Sequence, residues 1–63
     1  MTILRTTPNI RDPDDIYQRL IDLHTGRDEA DSLRVNARLI LLLANHIGDR
    51  EVLLEAIRLA GTL

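Results

Sequence analysis

The residues of this chain that could do chemistry are two histidines, one serine and several carboxylates. His24 and His46 are the only histidines, and cysteine is absent. A zinc site needs three or four ligands held by hydrogen-bonded groups behind them. Asp22, Asp49 or Glu51 could add an oxygen ligand, but the sequence contains no His-x-x-x-His pair that would place two imidazoles on one helical face. We therefore expect no metal and no covalent cofactor.

Nucleophilic catalysis finds equally little support in the sequence. Lysine and cysteine are absent, and Ser32 has no histidine at a helical neighbour position, whereas an activated nucleophile needs a base beside it. The pairs Asp14-Asp15 and Asp28-Glu29 lie in predicted first helical turns, where compensation of the helix dipole explains them. A chain of 63 residues also leaves little room for a concave ligand pocket. We expect a protein that is not an enzyme.

The first element that must position these residues is a predicted helix over residues 13–25. Asp12 is expected to cap its free amide groups, Pro13 suits its first position, and Gly26 can supply a left-handed stop. His24 then falls in the last turn, at the negative end of the helix dipole. The apolar residues of this helix recur at helical spacing (Ile16, Leu20, Leu23).

Two further helices are predicted over residues 28–47 and 50–60. Gly48 closes the second helix, and Asp49 caps the third. Because short connections favour antiparallel neighbours, the sequence predicts an all-α fold with a compact three-helix arrangement in a single domain, 1–63. Residues 1–11 lack helical periodicity and contain Pro8, which favours extended backbone before it. They are interpreted as an extended N-terminal arm with three possible apolar anchors: Ile3, Leu4 and Ile10.

The most apolar part of the second helix predicts a protein partner. Leu39 to Ala44 are six consecutive apolar residues, enough to cover every side of a helix. Two short helices can cover only part of that surface, and a domain this small without disulfides often depends on oligomerisation. We therefore expect self-association, most simply as a homodimer. One apolar stripe follows the whole helix (Leu33, Ala37, Ile40, Ala44, Ile47), and other apolar residues occupy much of the remaining circumference (Val35, Leu39, Leu42, Leu43).

A polar stripe interrupts this apolar segment. Arg34, Arg38 and Asn45 share one helical face, beside Leu41 and Leu42. One interpretation is a solvated face. The other is a polar stripe that fixes the register of a helix–helix interface, as a buried Asn does in coiled coils. The candidate interface residues predicted on this basis are Asn36, Arg38, Leu39, Leu42, Leu43, Asn45 and His46.

Charge and composition exclude several classes of partner. The formal net charge is −2, acidic and basic residues are interleaved along the chain, and Tyr17 is the only Phe, Tyr or Trp, so the basic stripe of a nucleic-acid-binding protein is missing. All eight basic residues are arginine, which reflects either a GC-rich genome or a preference for bidentate interface pairs. Neither a signal peptide nor an apolar run long enough for a membrane span is present. We expect a cytoplasmic protein with no nucleic-acid or membrane partner.

Three segments of the sequence resemble a known family. They are Asp12-Pro13-Asp14-Asp15 with a following Tyr-x-x-Leu, Asn36-Ala37-Arg38-Leu39, and Leu43-Ala44-Asn45-His46-Ile47-Gly48-Asp49. Together they resemble DUF2783, a bacterial family of short proteins classed only as a domain of unknown function. The resemblance covers residues 12–60. It implies a small stand-alone protein, often encoded beside flavin-dependent aromatic hydroxylases, and it carries no established catalytic residue.

The expected function is therefore protein interaction, with an accessory subunit of a flavin-dependent oxygenase or a related oxidoreductase as the specific form that the resemblance implies. One alternative is a small regulatory or sequestering protein that binds an apolar aromatic metabolite in its helical core. A helix-turn-helix DNA-binding protein is a weaker third hypothesis, because the charge balance is wrong for it.

Overall fold

A computed structural model describes residues 3–62 and contains three helices. They are α1 (Pro13–His24), α2 (Glu29–Ile47) and α3 (Arg50–Ala60), and no strand occurs in the described part of the chain. The prediction of an all-α, three-helix protein is confirmed. Helix α1 ends one residue earlier and α2 begins one residue later than predicted, because Thr25 and Asp28 adopt extended backbone at the caps.

Two aspartates begin the second and third helices in the same way. The Asp28 carboxylate accepts a hydrogen bond from the Asp31 amide at 2.8 Å. The Asp49 carboxylate, as predicted, accepts one from the Val52 amide at 3.2 Å. Each side chain satisfies a backbone N–H that the helix itself leaves free. These caps fix where α2 and α3 begin.

The prediction that the Asp12 side chain caps α1 is wrong. Asp12 has left-handed backbone (φ 53°, ψ 58°), and its side chain makes no capping hydrogen bond. A side-chain cap normally requires extended backbone at this position, so the left-handed geometry directs the carboxylate away from the amides. The main-chain carbonyl of Asp12 instead accepts bonds from the amides of Asp15 and Ile16, at 3.1 and 3.3 Å.

The helices leave their apolar side chains largely uncovered. No side chain in residues 3–62 is fully buried, and the helices contact one another little. The chain extends over 41 × 26 × 25 Å with a Cα radius of gyration of 13.4 Å, compared with about 11 Å for a well-packed domain of this length. The three helices therefore pack loosely against one another.

The best-defined contact between elements is the α1–α2 corner, where α1 ends against the first half of α2. Arg27 donates from Nε to the Leu23 carbonyl at 2.7 Å and from Nη1 to the Asp31 carboxylate at 2.6 Å. The His24 ring Nε2 lies 3.0 Å from Oδ1 of Asn36. Three apolar side chains of this region are half-buried (Leu23, Val35, Leu39). This corner sets the direction in which α2 leaves α1.

The segment before α1 contains no helix or strand from residue 3 to residue 12. Of its three predicted anchors, Leu4 is half-buried, whereas Ile3 and Ile10 keep 79% and 63% of their surface exposed. A hydrogen bond joins the Arg5 guanidinium to the Asn9 side chain. The first two residues of the predicted arm, and residue 63 of the predicted domain, lie outside the described residues.

Candidate functional site: the exposed surface of α2

The seven predicted interface residues lie on more than one side of α2. Leu39 is half-buried near the α1–α2 corner, and the other six are exposed. Successive residues of an α-helix are separated by about 100° around the axis, which places Arg38 and Asn45 together and puts Asn36 on a different side. The predicted set therefore does not form a single face, and Asn36 needs an explanation separate from that of Arg38 and Asn45.

Asn36 belongs to the α1–α2 corner rather than to the Arg38–Asn45 face. Its side-chain oxygen accepts a hydrogen bond from the His24 ring when Nε2 carries the proton. The sequence alone indicates His24 only as a helix-end residue and Asn36 only as a candidate interface residue. The sequence feature that could have predicted this contact is the short α1–α2 connection, because it brings the last turn of α1 close to the second turn of α2.

Arg38 and Asn45 form a polar face without partners inside the chain. Within residues 3–62, neither side chain has a hydrogen bond or an ion pair. They border a shallow depression together with Leu41 and Leu42, both of which are 69% exposed. Arg34, predicted on the same stripe, lies 3.5 Å from the Asp31 carboxylate. An unpaired guanidinium beside exposed leucines can bind a carboxylate or a carbonyl of another molecule.

A groove lies between this polar face and the α1–α2 corner. Its volume is about 260 Å³, and it is open to solvent. The lining is mainly apolar, with two arginines (Leu23, Arg27, Val35, Arg38, Leu39, Leu42). Ligand pockets usually measure about 300–1,000 Å³ and enclose most of the ligand, so this groove is small and shallow by comparison.

A third feature, here called the heptad stripe, is an apolar row along another side of α2. Its members alternate between alanine and a larger aliphatic residue (Ala30, Leu33, Ala37, Ile40, Ala44, Ile47). Leu33, Ile40 and Ile47 are 64%, 63% and 50% exposed, and of the alanines only Ala44 is half-buried. The apolar face predicted from the sequence is thus open along most of the helix.

Titratable groups give little indication of catalysis in the described part of the chain. Shifted pKa values occur at Glu55 and Arg58, which form a bidentate ion pair on the exposed surface of α3. The hydrogen bond from Arg58 lowers the pKa of Glu55 below its ordinary value of 4.5. Among residues 3–62, no three His, Cys, Asp or Glu side chains are grouped so that they could hold a metal ion. None of the three helices is long and apolar enough to cross a membrane.

These observations define a small all-α protein whose longest helix presents an open apolar surface. The sequence profile of the family described as "Protein of unknown function (DUF2783)" matches residues 4–62, and the chain belongs to that family. The resemblance drawn from the three sequence segments is confirmed. No curated protein and no solved structure matches the chain. The site must therefore be interpreted from its own geometry.

Proposed function

We propose that this chain is a non-enzymatic, cytoplasmic interaction protein that associates with itself through the exposed surface of α2. The observation that carries the proposal is the amount of surface left open. The single chain exposes 5984 Å². A folded monomer of its mass, 7.2 kDa, exposes about 4,100 Å² on average.

The excess has the size of an obligate interface. It amounts to about 1,900 Å² per chain when the average for folded monomers is subtracted. The extended arm contributes to it, as do exposed apolar side chains of all three helices. A standard interface removes about 800 Å² from each partner, and obligate homodimers bury roughly 2,000–5,000 Å² in total. Association of two chains could therefore remove most of the excess.

The energetics support coupling between folding and association. Burial of one Leu or Ile side chain contributes about 1.5–3 kcal/mol, and whole small domains are stable by only about 5–15 kcal/mol. Several such residues shared across an interface would match the stability of the entire fold. Because the described residues include no fully buried side chain, a single copy has little other source of stability.

Sedimentation equilibrium and denaturation over a wide concentration range test the proposal. We expect a homodimer whose unfolding midpoint rises with protein concentration, as mass action requires when only the folded state associates. A monomer with cooperative unfolding independent of concentration would reject self-association. Size-exclusion chromatography with light scattering gives the mass of the species independently of its elongated shape.

We also propose that the Arg38–Asn45 face binds a second type of protein, a flavin-dependent oxygenase subunit in the form that the family resemblance implies. The support from the structure is that both polar side chains lack partners and lie beside exposed leucines. Co-purification from the native host under mild conditions, followed by absorbance spectroscopy for bound flavin, tests this. Arg38→Ala should lose the flavoprotein while keeping the homodimer. If this variant still co-purified with the flavoprotein, the Arg38–Asn45 face would be excluded as its binding site.

The groove beside the α1–α2 corner favours one alternative function, sequestration of an apolar aromatic metabolite. Its lining is mainly aliphatic and includes the unpaired Arg38 guanidinium, which suits an aromatic acid. NMR titration with benzoate and with cyclohexanecarboxylate tests this alternative. Saturable shifts confined to Leu23, Val35 and Leu39 would support it. Absence of shifts at millimolar ligand would reject it.

A further inference from the structure

We infer that two copies of this chain pair antiparallel along the heptad stripe, with a twofold axis that passes between Arg38 and Leu39. This inference rests on the proposed self-association and adds its geometry. The occupant of the exposed apolar face is thus a second α2 helix. Three properties of α2 support this pairing: the spacing of the stripe, the alternation of its side-chain sizes and the surface that must be covered.

The spacing of the heptad stripe is that of a coiled-coil seam. Its members follow one another at alternating intervals of three and four residues from Ala30 to Ile47, which is the repeat that keeps one face of a helix against a partner helix. The stripe continues for about 26 Å at 1.5 Å per residue. If the stripe packed only against α1 or α3, which are shorter than α2, the repeat would not need to continue along the whole of α2.

The stripe is complementary in size to itself when it is reversed. Reversal about the point between residues 38 and 39 places Ala37 opposite Ile40, Leu33 opposite Ala44, and Ala30 opposite Ile47 of the second copy. Every layer then contains one alanine and one large aliphatic residue. Layers of equal volume pack without voids or overlap, and the alanines allow the helix axes to approach toward the short end of the usual 8–10 Å range.

A parallel pair would lose this complementarity. It would place alanine opposite alanine and isoleucine opposite isoleucine in successive layers, with cavities and crowding in turn. The exposed area is compatible with both parallel and antiparallel pairing of the two α2 helices. The alternation of side-chain sizes favours antiparallel pairing. The surface available is sufficient, since Leu33, Ile40 and Ile47 each retain half or more of their exposure in the single chain.

The antiparallel arrangement also separates self-association from other binding. Arg38 lies about 130° around the helix from the centre of the heptad stripe, and Asn45 lies on the same side as Arg38. Asn36 and Leu43 lie together on the opposite side of the seam, about 70° and about 90° from its centre, and the polar face points away from the seam. The homodimer would therefore leave the Arg38–Asn45 face open on both copies.

Exchange of large and small residues in the central layers tests the direction of pairing. In the antiparallel pair, Ala37→Ile makes two layers too large, so the dissociation constant should rise about tenfold or more. Ile40→Ala should weaken the dimer similarly by opening two cavities. The double variant A37I/I40A restores one large and one small residue per layer and should return most of the affinity. In a parallel pair, Ala37→Ile would fill a cavity and tighten the dimer.

Spin labels measure the register directly, because the chain has no cysteine of its own. Each variant carries one label per copy, so the measured distance joins the same position in the two chains. In the antiparallel dimer, the two labels at Arg38→Cys would lie almost level along the helix axis. The two labels at Glu29→Cys would be separated by about 28 Å along that axis. A short distance between the two labels at Glu29→Cys would overturn the antiparallel inference while leaving self-association intact, because a parallel pair would place these labels level with each other. A species without any dipolar coupling and with the mass of a monomer would instead reject the proposed function itself.

Discussion

The α1–α2 corner and the heptad stripe both involve α2, but their side chains differ in the contacts that they make within the chain. At the corner, polar groups find partners within the chain: His24 bonds to Asn36, and Arg27 bonds to the Leu23 carbonyl and to Asp31. Along the heptad stripe, the large side chains have no such cover and remain half exposed or more. The corner fixes the direction of α2 relative to α1. The stripe contains apolar surface that the chain itself leaves exposed.

Under the proposed self-association, the difference indicates which part of the fold would depend on a second chain. Exposed hydrogen bonds and ion pairs contribute little net free energy, typically about 1 kcal/mol or less each. Burial of apolar side chains contributes more, and a single copy leaves most of that stabilisation unused. The corner therefore directs α2, while the stripe would supply most of the stability in the proposed homodimer.

The largest effect should come from a charge in the centre of the heptad stripe. Ile40→Glu would bury an uncompensated carboxylate in each copy of the dimer, at a cost of more than about 3 kcal/mol. We expect sedimentation to show loss of the dimer and circular dichroism to show loss of helix.

Ile10→Glu is the matched control, because Ile10 and Ile40 are both 63% exposed in the single chain. If the chain acts alone, the two substitutions should behave alike. Equal stability of the two variants would remove the proposed distinction between the heptad stripe and the rest of the apolar surface.

A smaller effect is expected at the corner. A double-mutant cycle with His24→Ala and Asn36→Ala should give a coupling free energy of about 0.5–1 kcal/mol, since one partly exposed hydrogen bond joins the two side chains. Urea denaturation at a fixed protein concentration measures it. The mass of the oligomer should be unchanged in all three variants. Dissociation of the dimer in Asn36→Ala would show that this residue belongs to the interface, as the sequence predicts.

A still smaller effect is expected on the polar face. Arg38→Ala and Asn45→Ala should each change the free energy of unfolding of the homodimer by no more than about 0.5 kcal/mol, because the face lies away from the heptad stripe. Arg19→Ala is the control, since Arg19 forms only an exposed ion pair with Asp15 at 3.1 Å. Losses of about 1–3 kcal/mol in the first two variants alone would place the polar stripe in a buried contact.

The smallest effect concerns α3 and its pair Glu55–Arg58. Arg58→Ala should raise the pKa of Glu55 back toward 4.5, and an NMR titration of the side-chain carboxyl measures this. Because the pKa of Glu55 is lowered in the folded protein, its small contribution to stability is present above the unfolded value and disappears as the pH falls through the folded value. Arg58→Lys, which keeps the charge but loses the bidentate geometry, should give an intermediate pKa.

The sequence allowed the helices to be predicted because local signals determine them. Proline at the first position of α1, Asp49 before α3 and glycine after α2 gave boundaries that agree with the structure to within one residue. The Asp12 cap was mispredicted because residue type does not determine backbone conformation, and a left-handed residue cannot aim its carboxylate at the following amides.

The candidate site was harder to predict, because it depends on which sides of α2 the rest of the chain leaves open. Periodicity located the heptad stripe from Leu33 onward, and it located the polar stripe. It could not show that Asn36 bonds to His24 or that Arg38 and Asn45 lack partners. Both facts depend on the path of the chain between α1 and α2, so they became visible only when the positions of the helices in space were known.

Under the proposed self-association, the absence of any fully buried side chain in residues 3–62 would make the lifetime of the protein in the cell depend on its concentration. A newly made chain that has not met a second copy would open readily, and its amides and apolar side chains would be accessible to proteases. Its half-life would then depend on its own abundance: sparse copies would be degraded, and plentiful copies would protect one another. Such a protein would accumulate only above a threshold rate of synthesis.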